Sequence, residues 1–437
     1  MKQNDFLEYM NAQLDDMLRD TDRLMRFESL LEKPEETAAA LDYVLQRAQD
    51  MGMRTGKTPK GDAGYAEIGS GDETVGILVH VDVVGIGDRS KWKHPPFELA
   101  RDDGMLWGRG IVDDKGPVIM SLYAMKAMLD LDIPLKKNIR LIVGTSEESE
   151  WTDMESYKAA FGEPDYGYSP DGEFPVYNIE SGYCDIRLTF EEPALRQFSH
   201  IASGDSPNTI PSGAEFQRIG GPLRRFEGKS IHSSIPAQGD NAILKLAADP
   251  EVGELNMVRF INDHFTNDNN GRPLAIDDGA DTYKGVKVGV TLASPTIIKR
   301  VDETHVMLNV NIRTKMGTVR ADIERAFDLL AERYGFTYVT HDVTEASMVD
   351  PDEPFIAEMN RVYEQYGYAG GFAIAGGSTY ASTMSNCVCW GPVFPGDPSS
   401  AHEENERTPE ESFVNAAVIY ADYLALTAAE SDSHAKR

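Results

Sequence analysis

The chain has 437 residues, more than one ordinary hydrophobic core accommodates, so two or three domains are expected. It carries 42 basic against 72 acidic residues, a formal net charge of −30, and that negative field argues against nucleic acid and anionic membranes as partners. With 41% hydrophobic and 26% charged residues, the composition is that of an ordinary soluble globular protein.

In chain order, residues 5–27 and 34–51 read as helices, the second opening on Pro34 with Glu35 and Glu36 in its first turn. The charged start of the chain lacks the apolar centre of a secretory signal. No apolar run reaches the ~18 residues of a spanning helix, so a cytoplasmic location is expected. Strands are expected at 66–68 and 75–84, and "FELARDDGMLWGRG" reads as a hairpin turning at Asp103-Gly104. An apolar helix follows in "GPVIMSLYAMKAMLDLD", then a buried strand in "NIRLIVGTSEE" that runs into carboxylates. This β-α-β alternation indicates an α/β class, with a mainly parallel mixed sheet flanked by helices.

From about Cys184 the texture changes to period two, in "CDIRLTFEEP", "GVKVGVTLASPTIIKR" and "THVMLNVNIRTKM". With helices in "NAILKLAAD" and "RADIERAFDLLAERYG", this predicts a separate α+β domain built on an antiparallel sheet. Buried helices and strands resume beyond Glu345, at 354–366, 388–393 and 410–428. The second domain, 184–343, is therefore read as an insertion into a discontinuous first domain of 1–183 and 344–437. The tail "ESDSHAKR" reads as disordered. Three cysteines, Cys184, Cys387 and Cys389, suit a reducing compartment, and the last two read as core packing rather than as a cramped metal pair.

One strand-like run, "LVHVDVV", carries His80 and Asp82 two residues apart and therefore on one face. An unpartnered buried Asp costs several kcal/mol, so the pair is either a satisfied core pair or part of a site at the strand's end. Four further stretches end in metal-type ligands: "GRGIVDDKG" with Asp113 and Asp114, "IVGTSEESE" with Glu147 and Glu148, "YSPDGEFP" with Asp171, and "PGDPSSAHEENE" with His402. In open α/β sheets, sites form at the carboxyl ends of strands, and imidazoles with carboxylates suit zinc or a similar divalent ion. Each stretch alone is equally a solvated acidic turn. Other signals fail on spacing: Gly56-Lys57-Thr58 lacks the first glycine of a phosphate loop, and "TNDNNGRPLAID" has Thr266 where a calcium loop needs Asp.

Taken in order, these five motifs resemble the M20 family of dinuclear zinc peptidases, and within it the bacterial PepV-type, carnosinase-like dipeptidases. The resemblance extends to "GKSIHSSIPAQGDNAI", "VNIRTKMG" and "GGSTYAS". It implies a zinc-peptidase catalytic domain with an inserted lid, and two divalent ions as cofactors, zinc first, with manganese or cobalt as alternatives. Asp113 would bridge the ions, His80 and Asp171 would complete one, and Glu148 and His402 the other. Glu147 would be the general base for a hydroxide held between the ions, and Asp82 would orient His80. The resemblance also implies a cis peptide after Asp113. From the lid, His232 would stabilise the oxyanion, while Arg313, Asn208 and the loop Gly376-Gly377-Ser378-Thr379 would hold the substrate carboxylate.

The implied activity is hydrolysis of dipeptides with a free C-terminal carboxylate. The long inserted domain favours a monomer that supplies His232 itself. The stretch from Ser181 to His232 is shorter than in typical members, which leaves a homodimer open. An N-acyl-amino-acid deacylase or a carboxypeptidase is the rival within the family, and a non-catalytic metal- or peptide-binding protein the rival outside it.

Overall fold

A computed structural model describes residues 3–265 and 269–429; the tail 430–437 and Thr266, both read above, lie outside the described residues. The chain divides into two compact units. One takes in the chain up to Asn178, Val349–Ala373 and the part from Thr379 onward, and the other takes in Ile179–Met348 and Ile374–Ser378.

The first unit is organised on a mixed sheet with strands in the order Arg54–Lys57, Gly64–Ile68, Asn138–Gly144, Thr74–His80, Tyr166–Ser169, Cys387–Trp390 and Val176–Glu180. Its four central strands are parallel and the pairings on either side are antiparallel. Continuous apolar runs explain the centre: every residue from Val75 to His80 is buried, as expected of strands covered on both faces. Gly76 and Gly167 let two of these strands approach, since a Cβ at Gly167 would collide with the Gly76 carbonyl. Helix Lys115–Asp130 buries all but Lys126, Leu129 and Asp130, and helix Glu410–Ala428 is nearly as enclosed. The two pack on each other and on Gln3–Met25, which gives helices apolar on all sides a place in the core.

Several local expectations meet their physical limits here. The hairpin forms with Asp103 and Gly104 both at positive φ, 53° and 72°, the geometry that a two-residue turn between twisted strands requires. The strand expected over 75–84 stops at His80, so Asp82 lies in the irregular segment beyond it rather than further along one strand face. Chain pairing ends there because His80 is opposite Gly144, the last residue of the neighbouring strand. Among the described residues, no helix is long and apolar enough to cross a membrane.

The second unit holds an antiparallel seven-stranded sheet in the order Leu223–Glu227, Gly213–Arg218, Phe198–Ser203, Leu292–Arg300, His305–Thr314, Gly182–Glu191 and Phe336–Thr344. Alternation divides its faces. Cys184, Ile186, Leu188, Leu308, Val310 and Ile312 join a core with helices Asn256–Phe265 and Arg320–Tyr334. On the central strands, the opposite face carries Tyr183, Asp185, Asn309, Asn311 and Arg313. Helix Asn256–Phe265 is absent from the sequence-based reading, although Met257, Val258, Phe260 and Ile261 give it one buried face.

Candidate metal centre

Three parallel strands end side by side, and each delivers its ligand-type residues just at or past its carboxyl end: His80, then Glu147 and Glu148 beyond Gly144, and Asp171 beyond Ser169. Asp113, before helix Lys115–Asp130, sits between two imidazoles. Its Oδ1 is 3.0 Å from His80 Nε2 and its Oδ2 is 2.8 Å from His402 Nε2. His402 Nε2 is also 3.1 Å from Glu148 Oε1, and His80 Nε2 is 3.8 Å from Asp171 Oδ2. Candidate donor atoms of His80, Glu147 and Asp171 lie within 4.8 Å of one another, and so do those of His80, Asp113 and Glu148. The Asp113–Asp114 peptide is cis.

The charge balance of this cluster follows from its burial. Burial, followed by the neighbouring carboxylates, holds Glu147 and Asp171 well above the usual carboxylate range, and Glu148 is raised as well. Burial opposes ionisation of Asp113 too, but His402 and His80 outweigh it and hold its carboxyl low. Burial also opposes protonation of both imidazoles. His80 is nonetheless pushed up by Asp113, Asp82 and Asp171, and His402 by Glu148 and Asp113. His80 Nε2 and Asp113 Oδ1 are buried and close, yet neither has a hydrogen-bond partner. Asp113 and Asp171 line a cavity of about 140 Å³. Two imidazoles, a central two-sided carboxylate and three further carboxylates form a nitrogen and oxygen donor set that fits two divalent ions. A second cavity of about 480 Å³ borders the centre at Asp82 and Glu148, in the range of small-molecule sites.

The ligand loops hang from buried carboxylates by their backbone amides. Asp82 Oδ1 and Oδ2 accept the N–H groups of Glu147 and Glu148 at 3.3 and 3.0 Å. The hydrogen bond to His80 Nδ1 is made by the Asp82 backbone carbonyl at 3.0 Å, with the carboxylate 3.3 Å away. Asp82 therefore touches three site residues, where the motif suggested one. Asp114 Oδ2 accepts the His80 N–H at 3.0 Å. Asp153 accepts the N–H groups of Thr145 and Ser146, at 2.6 and 3.0 Å, as well as the Tyr380 hydroxyl. The sequence-based reading missed Asp153, Tyr380, Arg109 and Glu406. Arg109, Tyr380 and Glu406 lay inside the motif stretches without being singled out, and Asp153 lay outside them; nothing distinguishes Glu406 from Glu403 and Glu404 in the acidic run after His402.

The second unit gathers its own polar group. Arg313 Nη2 is 3.3 Å from His232 Nε2, and its Nε and Nη2 donate to Ser233 Oγ at 3.4 and 3.3 Å. The guanidinium lies over the Tyr183 ring at 4.6 Å, and Tyr183 donates its hydroxyl to Asp185. Asn208 is held beside His232: its carbonyl accepts the Ser233 N–H at 2.8 Å, and Ser206 donates to its Oδ1 at 2.7 Å. Gly376 passes so near Ser234 that a Cβ would stand 2.6 Å from that side chain, and a Cβ on Gly377 would come 3.8 Å from Arg313 Nη1. Ser378 Oγ donates to the Ser181 carbonyl at 2.8 Å. Thr379 belongs to the first unit, where its hydroxyl caps the short helix Tyr380–Thr383 by accepting from Ala381 N–H at 3.2 Å.

Residues 76–426 match the profile of Peptidase family M20/M25/M40. The chain belongs to this family and is a peptide hydrolase of the metallopeptidase class. YtjP of Bacillus subtilis (strain 168), whose dipeptidase assignment is provisional, is 31% identical over 460 residues, covering 94% of this chain and 96% of its own. Among solved structures, human carnosine dipeptidase 1 superposes with a TM-score of 0.61 at 18% identity, covering 97% of this chain and 99% of that one. The YXEP protein of Bacillus subtilis, described as a dinuclear metal binding peptidase, superposes with a TM-score of 0.57 at 12% identity, covering 95% of this chain and 98% of that one. These two likenesses show a shared fold.

Proposed function

We propose that the protein is a dinuclear metal-dependent dipeptidase acting on dipeptides with a free C-terminal carboxylate. The observation that carries this reading is Asp113, which turns one oxygen to each of two imidazoles. His80, Asp171 and Asp113 would hold one divalent ion, and Glu148, His402 and Asp113 the other, with zinc the first candidate. When bound, the ions supply Lewis acidity at the scissile carbonyl and acidify water.

The protein's own groups handle the proton. Glu147, buried beside Asp171 and next in sequence to Glu148, would take a proton from the attacking water. It then delivers that proton to the leaving amine. Asp82 fixes the Glu147 backbone by accepting its N–H, which limits how far the carboxylate wanders during the transfer. In the second unit, Arg313 offers a planar fork to the substrate carboxylate, and Asn208, Gly376, Gly377 and Ser378 complete that recognition, with Thr379 following them in the chain. His232 would donate to the oxyanion of the tetrahedral intermediate.

The test is a panel of dipeptides, tripeptides and N-acyl amino acids, assayed with zinc, manganese and cobalt for release of free amino acid. Cleavage confined to dipeptides is the expected result. Preferential cleavage of N-acyl amino acids would replace this reading with a deacylase, and absence of turnover with every metal would replace it with a binding protein.

A further inference from the structure

We infer that Glu406 and Arg109 form a positioning pair that sets the spacing between the Asp113 and His402 loops. Neither is among the proposed ligands, and the inference rests on reading Asp113 and His402 as metal ligands. Glu406 is fully buried, four residues beyond His402. Both its oxygens are committed to the loop that carries Asp113. Oε2 accepts from Arg109 Nη1 at 2.7 Å and from Gly110 N–H at 3.0 Å. Oε1 accepts from Val112 N–H at 2.8 Å and from Asp113 N–H at 3.2 Å. The Glu406 carbonyl accepts the Gly108 N–H at 3.0 Å, so backbone and side chain grip one loop together.

Arg109 extends the link to a third loop. Its guanidinium, also buried, donates through Nη2 to the carbonyls of Gly85 at 3.1 Å and Glu403 at 3.2 Å, and lies 5.4 Å from the Trp92 ring. Gly85 lies in the irregular segment that follows His80 and Asp82, and Glu403 adjoins His402. One ion pair thus joins the loops that carry Asp113 and His402 to the segment that follows the His80 strand.

His402 needs such a tether more than the other ligands do. Its side chain is 50% exposed, against 1% for His80, and its backbone sits at φ +64°. A strand holds His80 in place, but only a loop holds His402. Partners behind the ligands of a metal site change affinity by about 10–100-fold when removed, and this pair stands in that relation to two ligands at once.

A purely structural ion pair and a positioning pair predict different patterns. The experiment titrates the metal-free full-length chain with Zn²⁺ by calorimetry and with Co²⁺ by visible absorption, and follows the melting temperature of each metal-free variant in parallel. Wild type is expected to take up two ions and His402→Ala to lose one. Glu406→Gln keeps the shape but turns an amide toward donors. It should bind the ion of the His402 side about 10–100-fold more weakly, with a smaller change at the other ion, and excess metal should restore kcat with KM little altered. Glu406→Asp should fall between. Arg109→Lys, whose single ammonium cannot reach Glu406 and two carbonyls together, should act in the same direction and serves if Glu406→Gln does not fold.

Two ions bound with wild-type affinities in both variants would overturn the inference. So would equal weakening of both ions in step with the melting temperature. A wild-type chain that binds no divalent ion would instead overturn the reading of the centre itself.

Discussion

The two polar groups of this molecule are built in opposite ways. In the first unit, the candidate ligands come from strand ends and loops far apart in sequence, and buried carboxylates accept the N–H groups of those loops. In the second, Tyr183 and Arg313 face each other across paired strands, and His232 and Ser233 approach from a neighbouring turn. The first arrangement concentrates negative charge and depends on added cations. The second presents one guanidinium stacked on an aromatic ring, an arrangement that would suit an incoming anion. The difference teaches that the two groups should fail separately: damage to the first alters metal binding, and damage to the second alters substrate binding.

The largest expected effect comes from Glu147. Glu147→Gln should lower kcat by about 10²–10⁴-fold while two ions still bind, because the group moves a proton rather than holding the centre together. Steady-state kinetics alongside metal analysis checks this, and an unchanged kcat would remove Glu147 from the mechanism. Arg313→Ala comes next. Loss of a charge-assisted grip worth about 1.5–3 kcal/mol should lower kcat/KM by roughly 10–150-fold, mainly through KM, with metal affinity unchanged. A metal-affinity change there would mean the two groups do not fail separately.

Asp82→Asn sharpens the comparison from the other side. It should weaken metal affinity by about 10–100-fold and leave KM nearly constant, because an amide cannot accept from Glu147 and Glu148 as a carboxylate does. The smallest effect is on pH dependence. In the metal-free protein the neighbouring carboxylates push both imidazoles upward, so the protonated form that competes with ions persists to higher pH than in a free imidazole. Metal affinity should therefore fall as pH falls, with proton release at pH 7 detectable by calorimetry in buffers of different protonation enthalpy. Uptake with no proton release would contradict the raised imidazoles.

How much of this was legible depended on whether local chemistry announced itself. Helix Glu410–Ala428 and the Asp103-Gly104 turn could be read because periodicity and positive-φ residues act over a few positions. Glu147, Glu148 and Asp171 stood out because carboxylates following apolar strands are costly unless they serve a purpose, and Asp113 because it stands beside Asp114 after the apolar pair Ile111-Val112. Three things were hidden. The strand's stop at His80 is set by its neighbour's end at Gly144, a tertiary fact. The grouping of 374–378 with the second unit, away from the flanking residues, has no compositional mark. Glu406 and Asp153 act through backbone amides that any residue supplies, so no motif reveals them.

The central claim is that one carboxylate serves both halves of a dinuclear centre. It is tested most directly by the metal content and calorimetric stoichiometry of Asp113→Ala beside wild type, with folding verified by circular dichroism. Two ions in wild type and loss of both together in the variant is the predicted result. A wild-type chain without ions, or a folded variant that still holds two at wild-type affinity, would contradict it.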